Sequence, residues 1–407
     1  MKALSWGEIL ARMGIQFLPV WICLALMFSV SFVFKRRLGL YGKLFDSPVG
    51  MVGFFIVMFW TFTAIFADLT VATPSIPFLN LPSHLLFHIH IATHDALSQI
   101  VQMKDKLPGT ALPAGTSEYP YYLLGGDHLA RDVFSRMVMG ARRVLVIAPA
   151  ATCFAYMVGI TLGLPAGYVG GRVDTALSFL ANLVLAFPVI LLFYLLVTPA
   201  IQESGITTIL AAVLFLFPIV FVAILFNSRY FTNPMKRNLY VGLTLVIGFW
   251  AYSGLAFNAD PIGVFSMGAN TLNVFVAVVF VNSPTVFRIV RGIVFDIKSR
   301  DYVAAAQTRG EGRWYIMLWE ILPNARGPLI VDFCLRIGYT TILLGTLGFF
   351  GLGVSPESPD WGSTINAGSK LLSIFPHPAL VPAIALMSLV LGLNLLADGL
   401  REESLRD

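Results

Sequence analysis

The sequence predicts an all-α polytopic membrane protein, and three observations carry that prediction. Hydrophobic residues make up 57% of the chain and charged residues only 12%, with a mean hydropathy of +0.80. The apolar runs are longer than soluble helices need, and Lys and Arg collect in particular loops between them. A hydrocarbon core of roughly 30 Å takes about 20 apolar residues per helix. Nine segments meet or approach that length, near 15–34, 50–67, 144–168, 175–198, 206–226, 239–257, 271–287, 328–350 and 379–397.

The first segment has apolar flanks, no small-residue cleavage site behind it, and Lys35-Arg36-Arg37 directly after it. It reads as a retained helix rather than a signal peptide. After the second segment, residues 68–141 form a long outer stretch in which Pro108, Gly109, Pro113, Gly115 and Pro120 break any long helix. One short helix is expected there, near 83–103. Between the third and fourth segments, Gly170 and Gly171 permit a tight turn that a side chain would obstruct. Within the fourth, Pro188 removes a backbone donor and clashes one turn back, which loosens the helix. The fifth and sixth segments lie in a composition change at 199–270 and flank the basic loop FNSRYFTNPMKRN. An inserted pair leaves the sidedness of everything downstream unchanged. No internal repeat or low-complexity tract is present.

Short cytoplasmic loops carry the excess of positive charge. Lys35, Arg36, Arg37 and Lys43 lie in 35–47, and Arg229, Lys236 and Arg237 lie in 227–238. Arg288, Arg291, Lys298, Arg300, Arg309, Arg313 and Arg326 lie in 288–326, whereas 199–205 and 258–270 carry no Lys or Arg. With nine spans these loops alternate only if the N-terminus is outside and the C-terminus cytoplasmic. The net charge of +5 is then a matter of membrane orientation, and nucleic acid need not be invoked as a partner.

Charged side chains inside the spans are scarce. Asp332 and Arg336 stand one helical turn apart and can pair on a common face. Cys23, Cys153 and Cys334 all fall in spans, where packing is the usual fate of an unpaired thiol. Four of the six histidines lie at 84, 88, 90 and 94 on the outer side. His84 and His88 have the spacing at which two imidazoles on one helical face can chelate a metal, and an interfacial helix with rings at headgroup depth explains the same residues. No GxxxxGK[ST] phosphate loop, GxSxG elbow or HExxH helix occurs, so energy must come from another chain or a gradient.

Five motifs occur in order. LLGGDHLARDVFSRMVMGAR precedes the third span, with Asp127, Arg131, Asp132 and Arg136 readable as solvated charges on an amphipathic interfacial helix or as substrate contacts. GLPAGYVGGRVDTALSFLANLVLAFPVILL joins the third and fourth. DYVAAAQTRGEGRWYIMLWEILP, Asp301 to Pro323, is a polar helix-turn-helix between apolar segments. In it Ala304, Ala305 and Ala306 offer a small smooth face, Tyr302 a larger knob, and Gly310 a left-handed turn into a second helix, Arg313 to Ile321, which Pro323 stops. LGFFGLGVSPESPDWGSTI and LNLLADGLREESLRD follow.

Together these motifs resemble the permease subunits of binding-protein-dependent ABC importers of the peptide/nickel type, over Leu124 to Asp407 apart from 199–270. A weaker echo lies around 47–68. The family entry LGTDxLGRDVxSR has Thr and Gly where this chain has Gly126 and Ala130. The family's EAA motif has a glutamate where Ala304 stands, which excludes a salt bridge from that position.

The resemblance implies an ABC importer type I transmembrane domain with six core helices plus about three extra, set in a bacterial inner membrane. Residues 1–47 would be an extra N-terminal helix and basic cytoplasmic loop, and 48–140 the first core helix and long outer loop. Residues 141–407 would be the permease core, with the inserted pair at 199–270 and a coupling loop at 288–326. Asp301, Tyr302, Ala304, Ala305, Ala306, Gly310 and Pro323 would couple to ATPase subunits. The partners implied are a second permease subunit, two ATPase subunits carrying ATP and Mg, a solute-binding protein and membrane lipid. No cofactor is expected on this chain, and peptides or similar small solutes are the expected cargo. The rival reading is a stand-alone secondary transporter or channel.

Overall fold

A computed structural model describes residues 3–37, 39–67, 69–71, 87–113, 115–117, 119–260, 262–352 and 358–404. The helices run in the order α1 (Trp6–Gln16), α2 (Leu18–Phe34), α3 (Gly39–Lys43), α4 (Pro48–Phe66), α5 (Val133–Val169), α6 (Gly171–Leu185), α7 (Val189–Val197), α8 (Pro199–Glu203) and α9 (Ile206–Leu214). They continue as α10 (Leu216–Arg229), α11 (Pro234–Phe257), α12 (Ala269–Ile297), α13 (Asp301–Thr308), α14 (Arg313–Tyr315), α15 (Leu322–Asn324), α16 (Arg326–Phe349), α17 (Trp361–Ser369) and α18 (His377–Ser404). Among the described residues, eight helical segments are long and apolar enough to span a membrane, and a ninth if the bent pair α6–α7 is one span. Two short antiparallel ribbons, β1 (Leu69–Val71) with β2 (Phe87–Ile89) and β3 (Thr110–Ala111) with β4 (Tyr121–Tyr122), decorate the helical fold.

The fourth apolar segment is not one straight helix. It breaks between Leu185 and Val189 with an 80° bend, because Pro188 cannot donate the next helical bond and instead caps α7 in an extended conformation. Gly170 and Gly171 both take positive φ, 68° and 58°, at the α5–α6 turn. A further helix, α1, precedes the first span and is closed by a capping box between Ser5 and Glu8.

The helix expected near 83–103 does not form. Phe87–Ile89 is strand and only Val101–Met103 makes a 3₁₀ turn, while residues 83–86 lie outside the described residues. His84 also lies outside them, and His88 sits in a strand, so the helical i,i+4 pairing proposed for these two is not available. No cluster of three or more metal-ligating side chains occurs among the described residues.

The chain divides into two compact units, Met1–Ala148 with Ile337–Asp407, and Pro149–Arg336. In the first, α4 and α18 approach closely at glycines. A Cβ on Gly50 would stand 3.2 Å from Gly399 Cα, and one on Gly392 would stand 2.8 Å from Ile56 Cγ2. Small residues let helix backbones approach where lipid offers no hydrophobic drive to association. The N-terminal α2 and the Phe17 that precedes it lie on α4 through ring pairs, Phe17 with Phe59 at 5.2 Å and Phe28 with Phe54 at 5.7 Å between centroids.

The motif before α5 is also rearranged relative to expectation. Only Val133 onward is helical, and Asp127, Arg131, Asp132 and Arg136 are buried rather than solvated. Asp127 accepts from the Leu129 and Arg131 amides at 2.9 and 2.8 Å and from Arg131 Nε at 2.8 Å. Asp132 Oδ2 accepts from Thr93 Oγ1 at 2.9 Å and Ser135 Oγ at 2.6 Å, with His94 Nδ1 at 3.2 Å. Arg136 donates to Ser358 O at 2.9 Å and Thr364 Oγ1 at 3.1 Å. Buried charges persist only when paired and hydrogen-bonded. This network therefore knits the outer segment to α17, a structural role in place of the solvated helix.

Of the apolar residues that an amphipathic interfacial helix would turn to lipid, Leu129 is exposed, whereas Val133 and Met137 are buried. Ala130 takes φ +62°, the conformation that a glycine at this position would take freely.

Candidate coupling site

In the second unit, α5 and α12 form the frame. Gly159, Gly163 and Gly167 recur every four residues on one face of α5 and meet Val286, Val290 and Val294 of α12, which share the same spacing. A Cβ on Gly163 would lie 2.9 Å from Val290 Cβ, and one on Gly167 would lie 2.7 Å from Val294 Cβ. This small-xxx-small stripe is visible in the sequence, although its partner helix is not.

At the end of α12 the chain turns into α13. Lys298 Nζ donates to Gly167 O at 2.9 Å, and Gln307 Nε2 donates to Tyr168 Oη at 3.0 Å, tying both ends of the turn to α5. The eight residues of α13 then divide by face. Val303 and Ala306 are fully buried against Ile316, Met317, Leu318 and Ile321, in a core that also contains Leu164, Val290 and Val294. Asp301, Tyr302, Ala304 and Ala305 are exposed. The alanine run is thus not one smooth outer face: Ala304 and Ala305 point outward and Ala306 points into the core. Tyr302 keeps its proton more firmly than an ordinary phenol, because its partial burial outweighs the pull of Arg300.

The helix ends at Gly310, whose φ of +78° lets the Gly310 amide reach Gln307 O at 2.9 Å and the Glu311 amide reach Ala306 O at 3.2 Å. This is a Schellman cap, which satisfies carbonyls that the helix would otherwise leave bare. Arg309 then bridges to Glu320 at 2.6 Å, closing the hairpin.

The return limb differs from expectation. α14 passes into a π-helical turn over Ile316–Ile321 and then α15, so helical structure runs through Pro323 to Asn324. The wider π turn relieves the clash between the proline ring and the preceding turn, so Pro323 lies inside the limb rather than stopping it at Ile321.

Two contacts that the sequence did not announce reach the hairpin from the inserted pair. Trp319 Nε1 donates to Ser228 Oγ at 3.1 Å, and the Arg229 guanidinium lies 4.7 Å from the Trp319 ring centroid. Deeper in the unit, Asp332 accepts from Arg336 Nε at 2.7 Å and from Tyr156 Oη at 2.5 Å. The expected pair forms, and a tyrosine of α5 completes it. Of the two later motifs, residues 353–357 and 405–407 lie outside the described residues.

The geometry describes a rigid hairpin whose inner face is continuous with a helical core and whose outer face is small and polar. Comparison with known proteins gives this geometry its family. A profile described as "binding-protein-dependent transport system inner membrane component" matches residues 159–402, from the glycine stripe through α18. The chain is 31% identical over 279 residues to a glutathione transport system permease protein of Pectobacterium atrosepticum, covering 69% of this chain and 70% of that one. It is 28% identical over 295 residues to a dipeptide transport system permease protein of Alkalihalophilus pseudofirmus, covering 72% and 74%. It is also 26% identical over 318 residues to a probable D,D-dipeptide transport system permease protein of Escherichia coli, covering 78% and 81%. The chain belongs to the binding-protein-dependent transport system inner membrane components, the permease subunits of ATP-driven importers.

Proposed function

We propose that this permease forms, with a second permease subunit, the translocation pathway for peptides or similar small solutes delivered by an extracytoplasmic solute-binding protein. The names of its relatives, glutathione and dipeptide permeases, support the cargo class. Two ATPase subunits would supply ATP and Mg and bear on α13 from the cytoplasm. The N-terminus would lie outside and the C-terminus inside, as the basic loops require. Within this scheme, 1–47 is an additional helix with its basic loop, 48–140 the first core helix and outer loop, and 141–407 the permease core with its inserted pair.

The observation that carries the reading is the two-faced α13. Its exposed residues Asp301, Tyr302, Ala304 and Ala305 offer a contact surface, while Val303 and Ala306 are embedded in the core shared by α5, α12 and α16. A partner moving the outer face therefore moves packed helices with it, because packed cores shift as units instead of deforming smoothly. Ala304 lacks a carboxylate, so docking there rests on close backbone approach around Tyr302 and Gly310.

Cysteine cross-linking in the assembled importer tests the reading. Ala305→Cys should cross-link to an ATPase subunit and change its yield when ATP is added. Ala306→Cys, facing the core, should not. Absence of a cross-link from Ala305→Cys in an intact, transporting complex would overturn it.

A further inference from the structure

The inserted helices α10 and α11 line a crevice of about 490 Å³, closed on one side by Phe154 of α5. Its walls include Phe215, Ile219, Leu243, Ile247 and Ala251. Of the three hydroxyl-bearing residues that border it, Thr244 donates its Oγ1 to Tyr240 O at 2.8 Å, Tyr252 donates its Oη to Ala212 O at 3.1 Å, and Tyr240 stands at one end. The body of the crevice between its ends is therefore apolar. It lies on helices whose apolar windows are only 22% and 11% buried, the least covered of the spans of this unit for which the share is known, and long enough to cross a hydrocarbon core.

One end of the crevice is chemically different. Phe226, Tyr230 and Tyr240 form a stack, with Tyr230 and Tyr240 centroids 5.0 Å apart, the residue types that collect at membrane interfaces. One turn beyond Tyr240 stand Lys236 and Arg237, and Arg229 is one turn beyond Phe226. Residues 204–259 contain these three cations and no Asp or Glu; the carboxylates of the 199–270 insertion, Glu203 and Asp260, stand before α9 and after α11, away from the loop that joins α10 to α11. Phe231 and Met235 at the tip are 68% and 85% exposed, which suits immersion among headgroups and not contact with water.

We infer that the α10–α11 insertion holds an anionic phospholipid of the surrounding bilayer, one acyl chain in the apolar crevice and its phosphate at Lys236 and Arg237. A basic site between membrane helices beside an apolar slot is complementary to both parts of such a lipid. The site adjoins the coupling hairpin through Ser228 and Arg229 on Trp319, so its occupancy would stiffen the support behind that hairpin. The inference concerns the insertion alone and does not depend on which solute is carried.

The test is native mass spectrometry of the importer purified in mild detergent and offered phosphatidylglycerol or phosphatidylcholine at equal concentration. Phosphatidylglycerol should be retained preferentially. Lys236→Gln with Arg237→Gln should lower its retention about thirty-fold, the factor that two surface cations at about 1 kcal/mol each imply. These two side chains are outside any core, so the double variant folds. Equal retention of the two lipids by the wild type, or undiminished retention by the double variant, would overturn the proposal. Independently, a benzophenone on Thr244→Cys should label phospholipid in native membranes. Labelling of another polypeptide instead would show that a subunit covers the crevice and would equally overturn it.

Discussion

Val290 of α12 occupies the space that a side chain on Gly163 of α5 would need, since a Cβ built there would stand 2.9 Å from Val290 Cβ. The contact is the middle of a three-rung ladder that includes Gly159 and Gly167. Gly163→Ala should lower stability by about 1–3 kcal/mol through overpacking, read as a lower thermal midpoint in detergent. Gly163→Leu should abolish recovery of folded protein. An unchanged midpoint for the alanine variant would mean that α5 and α12 can separate at no cost.

Gly310 tests the hairpin without touching any neighbour. A Cβ there would meet nothing within 4 Å, so the whole effect of a substitution is the backbone's positive φ. Gly310→Val should cost about 1–2 kcal/mol locally, leave membrane insertion unchanged, and reduce transport and solute-stimulated ATP hydrolysis several-fold. Gly310→Asn, which tolerates the left-handed region, should recover much of the activity. Transport assays in vesicles distinguish the two.

Removing one member of the Asp332–Arg336–Tyr156 group should cost more than removing the charge pair together. Arg336→Met alone leaves Asp332 with only its tyrosine partner, at about 3 kcal/mol. The double variant Asp332→Asn with Arg336→Met should be more stable than that single variant. A double-mutant cycle on thermal midpoints measures the difference.

Ala130 adopts φ +62°, which strains an L-residue and suits glycine. Ala130→Gly should therefore stabilise the outer segment by up to about 1 kcal/mol, the relief being partly offset by the greater freedom of glycine in the unfolded chain. Resistance of the 87–132 segment to limited proteolysis should rise.

Much of this architecture was legible as composition and punctuation. The candidate spans, the Gly170–Gly171 turn, the break at Pro188 and the Gly310 cap are all local consequences of hydropathy or of what one residue's backbone allows. The errors share a cause. The 83–103 helix and the solvated charges of Asp127, Arg131, Asp132 and Arg136 were judged from neighbours in sequence, whereas Asp132 is held by Thr93 and Arg136 by Ser358 and Thr364, far along the chain, and these contacts bury the whole group. Pro323 was judged as a helix breaker because the π turn that accommodates it depends on packing beneath α13.

What the sequence determined by itself was the medium, the apolar segments that are candidates to cross it and the order of motifs, because lipid solvation acts on each segment separately. Only the tertiary structure decided which alanine of the 304–306 run faces the core, which helix the glycine stripe of α5 meets, and that Trp319 rests on the inserted pair. Those outcomes depend on the mutual fit of surfaces distant in sequence, and close packing leaves each of them one arrangement.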